Sequence, residues 1–303
     1  MGLFSTANED SQIGVDFLAD GVAVVQVQAG KKNGGRVLRS EFVAADGQDD
    51  QVDALRDWVR ANGLQKSACV CLLADDDRDI YQVEKPEVED GEMIQAVTWK
   101  IKDLINYDVA NAVVDSYPIP ESSKNNKQQV GVVAAREAVV ASYVESIRSS
   151  GMNLIALDVH ELVRSNLQAV RNSAGQTLAL LSLDDNGGLL SVYHDSDLYV
   201  SRDFKLGLNQ LSQADELNTD IYDSLLLEIQ RSLDYYESYY GHSAVTDLRI
   251  FPQVQASEKL AMYLQNLTNF DIDFVVFGGE QGGGSLDQHC FHAYCAALRG
   301  VGQ

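Results

Sequence analysis

Two acidic turns, about half a chain apart, are the places where this sequence could bind phosphate or a metal ion. The first turn, Ala19-Asp20-Gly21, lies inside an apolar stretch that runs from Ile13 to Val27. The second, Asp184 to Gly188, lies inside a similar stretch from Leu178 to Tyr193. Apolar runs on both sides of a short Asp/Gly turn are typical of β-hairpins. Backbone N–H groups in such turns can hold phosphate.

Further strands and helices must hold these hairpins in place. A third strand is predicted after each hairpin, over Arg36 to Ala44 and over Leu198 to Phe204. The order strand-strand-strand-helix-strand-helix then occurs twice, which predicts a duplicated α/β fold with a cleft between the two hairpin turns. We place the first domain at 1–175, with an inserted small α/β subdomain at about 85–150, and the second at 176–303.

The helices are predicted from apolar residues at helical spacing. The inserted helix is predicted over Glu87 to Tyr107, with its core face starting at Met93 and including Leu104. The longest helix is predicted from about Asn218 to Tyr240. Shorter patterns predict helices over Asp53 to Asn62, Glu137 to Ser150, His160 to Asn172, Ala256 to Asn266 and Leu286 to Leu298.

Composition excludes several classes of function. The net charge of −22 and the pI near 4.4 disfavour nucleic acids and anionic membrane surfaces as partners. The sequence has no apolar run of about 18 residues that could span a bilayer, and its first ten residues do not resemble a secretory signal. Four cysteines do not form a disulfide framework. We therefore expect a cytoplasmic protein.

Three other segments could suggest a metal or phosphate site, and in each we favour an ordinary structural role. Asp75 to Asp79 could bind magnesium, but an Asp-rich turn on an acidic protein is more often solvated. His289 and His292, with Cys290 and Cys295, could suggest zinc, but a helix does not bring all four to one face. Gly278 to Gly284 lacks the Lys-Ser/Thr of a phosphate loop. We therefore predict no metal and no catalytic residue.

Six segments lie in order along nearly the whole chain and form a recognisable set: Ile13 to Val27, Glu92 to Ile105, Val114 to Tyr117, Val130 to Tyr143, Glu228 to Tyr236 and Ala296 to Gly300. Together they resemble the PilM family of type IV pilus assembly proteins. The acidic, shortened form is most similar to the branch that serves mannose-sensitive haemagglutinin (MSHA) pili, and the cytoplasmic part of GspL of type II secretion is the nearest other relative.

This resemblance implies an actin-like (sugar kinase/Hsp70/actin) fold with a nucleotide cleft. It also implies docking onto the short cytoplasmic tail of a PilN/MshJ-like inner-membrane protein, in a groove between the inserted subdomain and the first sheet. The pilus assembly ATPase is a further possible partner. Aromatic and apolar residues on the inserted helix are candidates for contact with the tail: Trp99, Ile101, Ile105 and Tyr107.

The phosphate turns depart from the family's pattern. In the first hairpin Asp16 matches, whereas Leu18, Asp20 and Ala23 replace a glycine, a hydroxyl residue and a lysine. In the second hairpin, Ser182 replaces the metal-facing aspartate and Asp184 replaces a glycine, before Gly187. Carboxylates at Asp20 and Asp184 would repel a triphosphate by roughly 1 kcal/mol or more at about 4 Å.

The sequence therefore predicts a non-enzymatic scaffold without a cofactor, peripheral to the inner membrane through its partner. Two alternatives remain: an ATP- and magnesium-binding switch of the same platform, and a GspL-like docking protein of type II secretion.

Overall fold

The computed structural model describes residues 11–28, 35–124, 128–167, 176–195, 197–214, 219–277 and 286–300. The strands in this part of the chain are β1 (Ser11–Leu18), β2 (Gly21–Gln28), β3 (Arg36–Ala44), β4 (Ala68–Leu72), β5 (Arg78–Glu84), β6 (Ala112–Pro118), β7 (Gln129–Arg136), β8 (Asn153–Asp158), β9 (Thr177–Leu183), β10 (Gly188–His194), β11 (Asp197–Phe204), β12 (Asp247–Phe251) and β13 (Asp271–Phe274). The α-helices are α1 (Gln48–Ala61), α2 (Met93–Ile101), α3 (Glu137–Ser150), α4 (His160–Val163), α5 (Leu208–Leu211), α6 (Asp220–Tyr240), α7 (Gln255–Leu267) and α8 (Phe291–Ala297).

The chain divides into two compact units. Unit 1 contains residues 1–118, 130–172 and 277–303, and unit 2 contains residues 119–129 and 173–276. The sequence placed all of 176–303 in the second domain, which is wrong for the C-terminal segment. Its helix α8 packs on β1, β2 and β4, because its alanine-rich surface can approach the sheet closely.

The main sheet of unit 1 has the order β3-β2-β1-β4-β8. The first three strands are antiparallel, and β1, β4 and β8 are parallel, with Val15 opposite Cys71. One face of the sheet packs on α1 and α3, where Leu55 and Ile147 are fully buried.

Close approach of α8 to the other face of β1 depends on Gly14. A Cβ atom at this position would lie 1.8 Å from the backbone oxygen of Ala293. Only glycine allows the helix to lie against the strand at this distance.

Helix α1 begins at Gln48, earlier than the predicted Asp53. Asp49 and Asp50 occupy its first turn, where the helix dipole favours carboxylates. The Gln51 amide donates a hydrogen bond to the Leu18 backbone oxygen at 2.7 Å, which joins the helix to the end of β1.

The inserted part of unit 1 is a three-stranded sheet, in the order β5-β7-β6, covered by α2. Helix α2 is shorter than the predicted Glu87 to Tyr107. The regular α-helix ends at Ile101, and turns follow over residues 102–104. The Ile101 oxygen accepts hydrogen bonds from the N–H groups of Leu104 and Ile105. Leu104 is exposed rather than in the core, whereas Ile105 is buried.

Unit 2 repeats the topology of the first sheet, in the order β11-β10-β9-β12-β13. Strands β9, β12 and β13 are parallel, with Leu181 opposite Ile250. Helix α6 packs its predicted apolar face, including Leu225 and Ile229, into this unit's core. Helix α6 is capped at its C-terminus by Gly241, which has a positive φ of 76°.

Two other helices are broken where the sequence predicted continuous ones. After α4, a 3-10 turn covers Arg164–Asn166, and the predicted remainder to Asn172 lies largely outside the described residues. A 3-10 turn, Gln288–Cys290, precedes α8. The glycine-rich segment 278–285 lies outside the described residues. Within the described ranges, no helix is long and apolar enough to cross a membrane.

Candidate functional site

Unit 1 contains a groove beside the inserted sheet. Its cavity has a volume of about 300 Å³ and lies between strand β6 and the carboxyl end of β8. The lining residues are Leu73, Val113, Asp115, Ser116, Tyr117, Val133, Ala135, Val140, Leu157, Asp158, Val159, Leu162 and Arg299.

Both walls of this groove include an edge strand. Among the described strands, β6 pairs with β7 alone and β8 pairs with β4 alone. An edge strand has backbone N–H and C=O groups on one side that no neighbouring strand binds. An extended peptide can use such groups as a partner strand would, while its side chains enter adjacent pockets. The groove is therefore a candidate site for an extended peptide.

The groove has a mainly apolar lining and a charged end. Val113, on β6, is part of the apolar lining, and it is 42% exposed. At the other side, the Arg299 guanidinium pairs with the buried Asp158 carboxylate. Burial raises the pKa of Asp158, and Arg299 opposes this shift. This combination suits an apolar peptide segment that carries a polar or charged group at one end.

Tyr117 forms part of the β6 wall. Its ring lies over Gly131 on β7, where a Cβ atom would come within 2.1 Å of the ring. Burial, with a smaller contribution from Glu161, raises the pKa of Tyr117 to about 12, so the phenol stays neutral. The aromatic ring is held in place by a glycine that the sequence alone did not single out.

The four residues predicted to contact a partner do not line this groove. Ile101 and Ile105 lie in the core of the inserted part. Trp99 is 64% exposed on α2, with the Lys102 ammonium 5.1 Å from its ring, and Tyr107 packs under Arg136. Their role in partner binding stays a prediction, and Trp99 is the member whose side chain is most available for it.

The first hairpin buries the carboxylate that the sequence placed at a metal site. Asp16 is buried, and Ala23 lies opposite it on β2, also buried. Leu18 closes the hairpin opposite Gly21. Asp20 projects from the turn, with its side chain 67% exposed and 4.0 Å from the His289 ring nitrogen.

Two histidines from other parts of unit 1 cover the Asp16 carboxylate. His160 begins α4, and its Nε2 lies 3.3 Å from both carboxylate oxygens of Asp16. His292 in α8 places Nδ1 3.7 Å from Asp16 Oδ2. On the other side of His160, Nδ1 lies 2.8 Å from Asp75 Oδ1. The sequence did not connect these residues, although His160 follows a parallel strand at its carboxyl end, where α/β folds commonly place functional groups.

The charges of this cluster shift the two histidines in opposite directions. Burial lowers the pKa of His160, but the charges and hydrogen bonds of Asp16 and Asp75 outweigh burial and raise it to about 9. Burial, His160 and Arg164 together lower the pKa of His292 well below its usual value. Arg164 donates to His292 Nε2 from Nε at 3.2 Å and from Nη2 at 3.1 Å.

In the second hairpin, the backbone N–H groups of the turn already have a hydrogen-bond acceptor within the turn. The Asp184 carboxylate accepts hydrogen bonds from the backbone N–H groups of Asn186 and Gly187, both at 2.7 Å. The Asp184 N–H also donates to the Gly187 oxygen. Ser182, at the position predicted to face a metal, is half-buried, and its hydroxyl has no hydrogen-bond partner in the described part of the chain.

These hairpins do not fit a magnesium nucleotide. Asp16 is covered by imidazoles, and Ala23 offers no charge to a phosphate. In the second turn, the Asp184 carboxylate occupies the N–H groups that a phosphate would use. We therefore assign no step of chemistry to a bound nucleotide.

The other sequence candidates for metal binding are separated. His289 stacks on Phe42 and pairs with Asp287, away from the cluster that contains His292. Cys290 and Cys295 are buried, and burial raises the pKa of the Cys290 thiol to about 12. In the Asp75 to Asp79 turn, Asp75 pairs with Arg78 and Asp77 accepts a hydrogen bond from Tyr143, so both have protein partners.

Comparisons with known proteins identify the fold. No protein-family model matches the sequence, and no curated protein matches it. The structure is similar to that of a PilM–PilN type IV pilus biogenesis complex, with a TM-score of 0.66 and 18% sequence identity over 96% of this chain and 98% of that chain. It is also similar to a Bacteroides thetaiotaomicron protein with an actin-like ATPase fold and unknown function, with a TM-score of 0.51 and 10% identity over 90% and 94% of the two chains.

A third similar structure is the cytoplasmic domain of EpsL, an inner-membrane component of the Vibrio cholerae type II secretion system. Its TM-score is 0.49, with 13% identity over 93% of this chain and 94% of that chain. The duplicated strand order and the first two similarities confirm the predicted fold class. The chain has the actin-like α/β fold.

Proposed function

We propose that this chain is a scaffold of the inner-membrane platform that assembles type IV pili, of the MSHA type and similar to MshI. In this role it lies at the cytoplasmic face of the membrane and binds the short cytoplasmic tail of a PilN/MshJ-like membrane protein. It does so without hydrolysing ATP. The tail occupies the groove between β6 and β8.

The observation that carries this proposal is the groove with an edge strand on each side. It lies within one unit, so it needs no bound nucleotide to bring two domains together. A protein of similar fold has been solved in a complex named for PilM and PilN, which gives a partner class for the groove. The acidic net charge of −22 favours a tail that carries basic residues beside its apolar ones.

The direct experiment is a calorimetric titration of the full chain with the N-terminal peptide of a PilN-like membrane protein from the same organism. We expect a dissociation constant below about 100 μM, or roughly −5 kcal/mol. Absence of binding at this concentration contradicts the proposal.

A matched pair of variants tests the groove itself. Val113→Arg places a long charged side chain in the groove and is expected to weaken the peptide at least tenfold, or by about 1.4 kcal/mol. Val144→Arg is the control, because Val144 is 41% exposed on α3, similar to Val113 at 42%, and does not line the groove. Equal affinities of the two variants would exclude this groove as the binding site.

Trp99→Ala tests the surface that the sequence favoured. A loss of affinity in this variant, together with the loss in Val113→Arg, extends the binding surface to α2. A loss of peptide affinity in Trp99→Ala, with unchanged affinity in Val113→Arg, would place the binding site on α2 instead of in the groove.

A further inference from the structure

Asp16, His160 and His292 bring a carboxylate and two imidazoles together from three distant parts of the chain. Within the described residues, they form the one group of three His, Cys, Asp or Glu side chains whose ligand atoms all lie within 4.8 Å of one another. The Asp16 side chain is 1% exposed, and that of His292 is 21% exposed. The group is therefore shielded, with an opening at His292.

The spacing of these atoms suits a shared metal ion. The His160 Nε2 to Asp16 oxygen distances are 3.3 Å, and the His292 Nδ1 to Asp16 Oδ2 distance is 3.7 Å. Direct N–H···O hydrogen bonds usually measure about 2.7–3.2 Å. Ligand atoms bonded to one tetrahedral Zn²⁺ at about 2.0–2.2 Å lie about 3.3–3.6 Å apart.

Asp75 supplies the second-sphere contact that metal-binding histidines typically have. In the neutral tautomer of His160 whose Nδ1–H donates a hydrogen bond to Asp75 Oδ1, at 2.8 Å, the lone pair of Nε2 faces Asp16, so a metal ion that binds there displaces the proton that Nε2 otherwise carries. A carboxylate in this position fixes the tautomer and orientation of the ring and makes the other nitrogen a better ligand.

We propose that Asp16, His160 and His292 form a Zn²⁺ site, with His160 bound through Nε2 and His292 through Nδ1. Two imidazoles and one carboxylate match the ligand preference of a divalent first-row transition metal rather than that of Mg²⁺ or Ca²⁺. The site revises the sequence-based expectation of no metal, and it is independent of the peptide groove and of a nucleotide. A metal here would join β1, α4 and α8, and so fasten the C-terminal segment to unit 1.

Arg164 disfavours metal binding at His292. Its guanidinium donates to His292 Nε2, which requires the proton of that ring to be on Nδ1. Binding of Zn²⁺ at Nδ1 moves the proton to Nε2, so Arg164 loses its acceptor and must turn away. Removal of this guanidinium should therefore strengthen metal binding.

The test is a calorimetric titration of ZnCl₂ into the full chain at pH 7.5, after a chelator has stripped bound metal. We expect one site with a dissociation constant of about 10 μM or lower. Co²⁺ in place of Zn²⁺ should produce visible d–d absorption, which needs no variant and reports the ligand geometry. Absence of binding at 100 μM Zn²⁺, or a Co²⁺ spectrum identical to that of the free ion, overturns the proposal.

Variants connect the binding to these residues. His292→Gln is expected to weaken Zn²⁺ at least tenfold, whereas His289→Gln is the matched control and should stay within twofold, because His289 is bonded to Asp287 outside the cluster. Arg164→Gln should bind Zn²⁺ several-fold more tightly than the wild type. Circular dichroism checks that each variant is folded. Wild-type affinity in His292→Gln, or weaker binding in folded Arg164→Gln, contradicts the assigned ligands.

Discussion

The two units have the same strand order, but their first hairpins differ in what they bury. Val15 lies opposite Cys71 in unit 1 just as Leu181 lies opposite Ile250 in unit 2. Asp16 and Ser182 stand at the positions that the sequence matched to the aspartates of the two phosphate turns. Two residues before each of them, unit 1 has Gly14 and unit 2 has Leu180, a large, fully buried side chain.

Each hairpin lacks the features of a phosphate site in its own way. In unit 1 a carboxylate is present on the strand but covered, because Gly14 lets α8 carry His292 onto the strand and α4 adds His160. In unit 2 the strand has no carboxylate at Ser182, and Asp184 binds the N–H groups of the turn instead. A repeated topology thus does not require the same chemistry in its two halves.

The largest effect is expected from Gly14→Ala. The new methyl group would overlap the Ala293 backbone oxygen, which cannot rotate away. We expect unit 1 to lose about 3 kcal/mol or more, at the upper end of the cost of overpacking. Hydrogen exchange of the α8 amides under increasing urea measures this loss.

Gly91→Ala is the control for that substitution, because a Cβ atom at Gly91 meets nothing within 4 Å. Similar protection of α8 in the two variants would show that the close contact between β1 and α8 is not what distinguishes unit 1.

A smaller effect, confined to unit 1, is expected from pH in the metal-free protein. His160 has a folded pKa of about 9 against about 6.5 when unfolded, so its stabilising contribution is complete below pH 6.5 and is lost as the pH rises to 9. Asp16 and Asp75 face its ring as partners that raise its pKa, and the His292 ring lies beside it, with the ring centroids 4.3 Å apart. The contribution is at most about 3 kcal/mol.

The measurement is the urea midpoint of unit 1 between pH 6 and 9, for the wild type and for His160→Gln. The wild type should lose stability over this range, and the variant should lose less. Parallel curves for the two proteins would remove His160 as the origin of the pH dependence.

The smallest effect is expected in the second hairpin. Asp184→Ala removes two hydrogen bonds to backbone N–H groups from an exposed turn, which should destabilise unit 2 by about 1 kcal/mol. Asp185→Ala, at the neighbouring exposed position, should stay within about 0.5 kcal/mol. Hydrogen exchange of the β9 and β10 amides, measured under increasing denaturant, compares the stability of unit 2 in the two variants. An equal loss of stability in both contradicts the role of Asp184 in capping the turn.

The sequence predicted the elements whose patterns are local. Both hairpins and the apolar face of α6 follow from alternation and helical spacing over fewer than about 20 residues. Helix α2 was predicted too long, because Leu104 and Ile105 continue the helical spacing although the regular helix ends at Ile101. Spacing records which residues are apolar, but not where the hydrogen-bond ladder ends.

The sites depend on contacts that no local pattern records. Asp16, His160 and His292 are brought together only after three separate segments pack on one sheet. The groove likewise depends on two strands being edges, which follows from the sheet order rather than from the residues of β6 or β8. Trp99 and Tyr107 were easier to notice in the sequence because aromatic residues on a helix have a recognisable pattern.

The most direct test of the proposed scaffold role is to measure binding of the tail peptide with and without 1 mM Mg-ATP. Both hairpins lack the contacts for a magnesium nucleotide, so we expect the same dissociation constant, within twofold, in the two conditions. We also expect no shift in the melting temperature of the protein when Mg-ATP is added alone. Peptide binding that requires Mg-ATP would contradict the scaffold role and identify the chain as a nucleotide-dependent switch.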